Sequence, residues 1–150
     1  MSRKLNVASA LLFIFGVWLL LEGLMALLST EWYLDAWIGM MNEEFRPPNV
    51  SDIEALGQNL LDFMTFTTHS YGFYALFGSL LFCVVSLIPY RRGEKWAWYA
   101  MLVMGGIMSF GLLLGTYVGM TSHLLVTLIL VILWMVGIAL PAKEILSKPS

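Results

Sequence analysis

Apolar residues gather into four stretches, at about 5–29, 71–90, 96–120 and 124–142, separated by two short polar breaks and one long amphipathic segment. Crossing a bilayer core takes about 20 mostly apolar residues, and each stretch reaches or approaches that length. None alternates strictly between polar and apolar positions. Lipid offers the backbone no hydrogen bonds, so each stretch is expected to be a helix rather than a barrel strand. Arg3 and Lys4 precede the first. Its apolar run exceeds the roughly 7–15 residues of a signal-peptide core, and no good A-x-A site follows. It reads as a retained signal-anchor helix. The expected fold is an all-α membrane protein forming a single domain over 1–150: a four-transmembrane-helix bundle with an extracytoplasmic cap of short amphipathic helices at about 30–70.

The cap is expected from its pattern. Glu31, Asp35, Gly39, Asn42 and Arg46 recur at helical spacing, with Trp32, Trp37, Ile38 and Met41 on the remaining faces. That arrangement predicts a helix in the membrane interface, its aromatic rings at headgroup level, ended by Pro47 and Pro48. Ser51 and Glu54 then form a capping box. The stripe Ile53, Leu56, Leu60, Leu61 and Met64 predicts a second helix, one able to run through Asp62 and His69 into span two.

Small residues suggest how the spans pack. Gly111, Gly115 and Gly119 form a G-x-x-x-G-x-x-x-G face on span three, and Ala75, Ser79 and Cys83 a similar face on span two. Such faces let helix backbones approach closely, which favours dispersion contacts where lipid supplies no hydrophobic drive. Because a short turn joins these spans, the two faces are expected to pair within the chain; homodimerisation is the alternative use. Gly119 is expected to close span three, and Thr121 or Ser122 to cap span four.

Composition agrees with the pattern. Charged residues are 12% of the chain and hydrophobic ones 59%, against about 25% charged in soluble domains. Seven of the eight Lys and Arg residues (Arg3, Lys4, Arg91, Arg92, Lys95, Lys143 and Lys148, but not Arg46) fall on one side of the four spans. By the positive-inside rule that side is cytoplasmic, which makes the protein a multi-pass protein of the cell membrane with both termini inside and the 30–70 loop outside. The basic residues are too few and scattered for a nucleic-acid footprint. Cys83 is the only cysteine, which excludes an intrachain disulfide, a CxxC motif and a thiolate metal cluster.

Glu22 stands out, because an ionisable group within a span is costly and usually faces the bundle interior. It lies seven residues before the outer end of span one, roughly 10 Å below the surface. Tyr74, Thr116 and Tyr117 lie at similar depth and are its expected partners, which makes these four residues the candidate ligand site. Glu22, His69 and His123 are the candidate acid/base groups. Asp62, His69 and His123 are weak candidates for a zinc or iron site, with no local metal signature behind them. The structural alternatives are an interhelical hydrogen bond for Glu22 and polar anchoring for the histidines. No cofactor motif is present.

Between spans two and three the chain reads Arg92-Gly93-Glu94-Lys95-Trp96-Ala97-Trp98. This turn and the layout resemble a loose group of small prokaryotic four-helix membrane proteins, broadly DoxX-like. The resemblance implies a four-helix bundle and carries over no activity and no functional residues. The expected function is binding of a lipid-like ligand, or service as an accessory subunit of a membrane complex or homodimer, with membrane lipids as the constant partners. The alternative is a small enzyme acting on a lipid, quinone or isoprenoid at the outer leaflet, with Glu22 and a histidine as acid/base groups. A transporter is weaker, since the chain shows no evident inverted repeat.

Overall fold

The computed structural model describes residues 2–40, 57–117 and 124–147. Within them the chain forms α1 (Arg3–Leu28), α2 (Thr30–Met40), α3 (Gln58–Val85) continued by a π-helical turn (Ser86–Tyr90), α4 (Lys95–Tyr117), α5 (Leu124–Ala139) and α6 (Ala142–Leu146). Four helical segments are long and apolar enough to cross a membrane: Arg3–Leu28, Gln58–Tyr90, Lys95–Tyr117 and Leu124–Leu146. The second is longer than the expected 71–90, because the amphipathic stretch through Asp62 and His69 is continuous with the span. The capping box at Ser51 and Glu54, the end of the first cap helix at Arg46, and Gly119, Thr121, Ser122 and His123 lie outside the described residues.

The first helix is the hub. Ser2 caps it, accepting from the Leu5 amide at 3.2 Å and donating to Glu144 Oε2 of α6 at 2.7 Å. Antiparallel to α3, it sets Asn6 against Arg91, Ser9 against Ser86, Gly16 against Cys83 and Gly23 against Gly72. Its Leu12 meets Gly137 of α5. Helix α4 packs chiefly on α5 and meets α3 sparingly. Leu5, Ala8, Leu12, Phe15, Phe82, Tyr90, Met101 and Ile145 form the core.

The end bearing Arg91 and Lys95 is tied by side chains that reach helix carbonyls. Pro89 lies in the π turn. Proline lacks an amide hydrogen and crowds the preceding turn, and the wider π spacing accommodates it. The Ser9 hydroxyl donates to the Ser86 carbonyl at 2.7 Å. Pro141 likewise has no N–H to give the Gly137 carbonyl four residues earlier. The fully buried Tyr90 supplies that donor at 2.6 Å, and the Trp98 indole donates to the neighbouring Ile138 carbonyl at 3.0 Å. Gly93 takes φ 73° to turn the chain into α4, a conformation open to glycine at little cost. On the α4–α5 seam, the Trp134 indole lies over Gly105 and donates to the Met101 carbonyl at 3.2 Å.

The glycine packing differs from expectation. A β-carbon built on Gly111 or Gly115 meets nothing within 4 Å, so these two glycines of span three do not pair with span two. The small face of span two is used, but against span one. A β-carbon on Gly23 would stand 2.7 Å from the Leu76 amide nitrogen, 3.0 Å from the Gly72 carbonyl oxygen and 3.2 Å from the Ala75 carbonyl carbon. Ser79 is buried and donates to the Leu76 carbonyl of its own helix at 3.0 Å. The physical reason is that α1 carries its own small residues, Gly16, Gly23 and Ala26, and these take up the face of α3.

Two outcomes follow for thermal melting of the purified protein. Gly23→Ala should destabilise by about 1–3 kcal/mol through overpacking against backbone, whereas Gly111→Ala should be neutral or stabilising by up to about 1 kcal/mol. Equal effects would contradict the α1–α3 assignment. Tyr90→Phe leaves the Gly137 carbonyl buried without its donor and should cost about 1–3 kcal/mol; an unchanged melting temperature would show that the bond contributes nothing.

Candidate functional site

Trp18 and Glu22 are four residues apart on α1, so they share a face, and the Trp18 indole N–H donates to Glu22 Oε1 at 2.9 Å. The Gly23–Gly72 contact brings the preceding residues of the two helices together. There the Tyr71 hydroxyl donates to Glu22 Oε2 at 3.4 Å, a long bond. Tyr33 of α2, buried, stacks on Tyr71 with ring centroids 6.3 Å apart and planes at 25°. Three helices thus meet around one carboxyl group.

Further along, the chain breaks helix for one residue at Ser29 and resumes as α2. The Thr30 hydroxyl gives its single proton to the Ala26 carbonyl at 3.0 Å. Its 2.7 Å contact with His69 Nε2 then assigns the donor role to the imidazole, the Nε2–H tautomer. The contact ties α2 to α3, and α2 also buries Tyr33, Leu34 and Ile38.

The expected partners of Glu22 lie elsewhere. Tyr74 is 74% exposed and meets Phe73 edge-on. Thr116 is buried and donates to the Leu113 carbonyl at 2.7 Å. Tyr117, at the end of α4, is 88% exposed. Tyr71, nearly one turn before Tyr74, occupies the position facing Glu22, because the glycine crossing fixes which side of α3 faces α1.

Of the candidate metal ligands, Asp62 and His69 are among the described residues. Asp62 Oδ1 accepts from Gln58 Nε2 at 2.9 Å, and His69 follows seven residues later, about 10 Å along the helix axis. Among the described residues no three His, Cys, Asp or Glu side chains are placed to hold a metal ion. His123 lies outside them.

Sequence reasoning missed an apolar groove of about 410 Å³ between α1 and α5. Phe13, Val17 and Trp18 form one wall, and Val126, Ile129 and Leu133 the other. Every lining residue is apolar, and the groove opens on the outer face of the bundle. Trp18 belongs both to this wall and to the bond with Glu22, so the groove and the polar cluster adjoin. The i, i+4 spacing of Trp18 and Glu22 was the available signal for the cluster. The groove depends on how α5 crosses α1, and no local pattern encodes it.

A double-mutant cycle tests the cluster. Glu22→Gln replaces one acceptor oxygen with a donor group facing other donors, and Tyr71→Phe removes one of those donors. Melting data should give a coupling energy of about 0.5 kcal/mol or more; strict additivity would show that the two residues do not interact.

Comparison of the chain with protein-family models, with curated proteins and with solved structures returns no match.

Proposed function

We propose that this chain is a small multi-pass membrane protein that binds a lipid-like ligand in the groove between α1 and α5. The observation that carries the reading is the groove itself: about 410 Å³, apolar throughout, and bordered by the residue that hydrogen-bonds the carboxyl group of the bundle. Ligand sites are concave and mostly apolar, and this groove is both. In the proposed orientation the end with Arg3, Lys4, Arg91, Arg92, Lys95 and Lys143 is cytoplasmic. Glu22 then lies in the outer half of the membrane, with α2 beside it at the outer end.

A second reading, an accessory subunit, is favoured by one observation. The Gly111 and Gly115 face of α4 is open, and small residues are what a neighbouring helix in a membrane packs against.

Native mass spectrometry of the protein extracted from membranes separates these readings. The wild type should carry one lipid-like molecule, and Val17→Trp, which fills the groove, should lose it while keeping the melting temperature within a few degrees. Retention of the bound molecule in Val17→Trp would place it elsewhere. A dimer without bound lipid would favour the subunit reading.

A further inference from the structure

We propose that the seam between α1 and α3, at the end bearing Arg91 and Lys95, binds the phosphate of an anionic phospholipid, with Arg91 as its principal contact and Asn6 as the residue that positions Arg91. This site is separate from the groove between α1 and α5 and does not rest on it.

Arg91 Nε donates to Asn6 Oδ1 at 3.0 Å, across the seam, and both side chains are exposed. The acceptor is a neutral amide, so the bond orients the guanidinium without cancelling its charge. A guanidinium carries N–H donors on three nitrogens. This bond uses Nε and leaves the two terminal nitrogens, the fork that grips two phosphate oxygens at once. Arg3, also exposed, lies one turn before Asn6 on α1. Residues three apart are neighbours on a helix surface, so a second guanidinium stands beside the Asn6 position.

The surroundings identify the source of the phosphate. Val7 follows Asn6, and Leu87 and Ile88 lie one turn before Arg91; all three are exposed and apolar. A charged fork above an apolar strip suits a lipid, with its head at the fork and its chains along the strip. A soluble phosphate makes no use of the strip. Trp96 is exposed at the same end, as indoles at headgroup level are. Charge then selects the head. Among the described residues this end carries Arg3, Lys4, Arg91, Arg92, Lys95 and Lys143 against Glu94 and Glu144. Glu94 accepts from the Trp96 indole and Glu144 from the Ser2 hydroxyl. The positive excess favours a head with net negative charge, by about fivefold for each basic residue near it.

The test titrates the full-length protein, in a neutral maltoside detergent, with dioleoyl phosphatidylglycerol and dioleoyl phosphatidylcholine in native mass spectrometry. The first phosphatidylglycerol should bind about tenfold more tightly than phosphatidylcholine. Arg91→Gln should weaken it about fivefold. Asn6→Asp keeps an acceptor for Nε but pairs the guanidinium with a carboxylate, and should weaken it by a similar factor. Arg91→Lys keeps the charge without the fork and should restore only part of the affinity. Lys95→Gln removes a charge from α4, outside the seam, and should change binding less than twofold. If Arg91→Gln does not fold, Asn6→Asp and Arg91→Lys carry the test. Equal losses in Lys95→Gln and Arg91→Gln would mean that charge acts diffusely, and overturn the site. A preference that survives Arg91→Gln also overturns it, and wild-type binding by Asn6→Asp removes Asn6 from its positioning role. Displacement of the lipid by millimolar glycerol phosphate overturns the lipid as the source of the phosphate.

Discussion

A helix that lies in lipid has no water to satisfy its backbone, so every carbonyl that loses its helical partner must find another. This constraint governs the basic end of the bundle. Pro89 and Pro141 each remove a donor from the helical ladder. Tyr90 answers the carbonyl freed by Pro141, and Trp98 serves the next one along α5. Ser9 reaches across to the π turn around Pro89. These bonds run between helices, so satisfying the backbone also fixes the relative positions of α1, α3, α4 and α5. The interruptions act as joints whose repair specifies the packing.

The rest of the site follows from those positions. With its lower half clamped, α1 meets α3 through Gly16 and Gly23. That crossing puts Glu22 opposite Tyr71 and leaves Trp18 at the border of the groove with α5. Helix α4 takes little part, because α5 holds it along the seam around Trp134 and Gly105. The polar cluster and the apolar groove are therefore two sides of one α1 surface. A change that rotates α1 would disturb both.

The four spans and their helical character were legible because length and hydropathy are local properties and lipid leaves few alternatives. Glu22 was legible as the costly residue of span one. Its partners were not: counting depth selects Tyr74, Thr116 and Tyr117, but depth says nothing about rotation, and Tyr71 faces Glu22 only because two glycines allow the backbones to touch. Of the small residues at positions 75, 79 and 83, Ala75 and Cys83 lie against Gly23 and Gly16 of α1, and Ser79 is buried. The error lay in the choice of neighbour, since chain proximity favoured α4 and the matching glycines lay on α1. The link between His69 and Thr30 joins segments distant in sequence and has no local signature.

The continuous segment from Gln58 to Tyr90 is 33 residues long, which is about 50 Å of helix against a hydrocarbon core of about 30 Å. A rod longer than the slab it crosses must lean or project. Its first turns carry Phe63 and Phe66 on exposed positions, so the projecting part is itself suited to the membrane interface. Because His69 joins this rod to α2 through Thr30, a thinner or thicker bilayer that changes the lean of α3 would carry α2 with it. That contact makes the long helix and α2 one mechanical unit beside the Glu22 cluster.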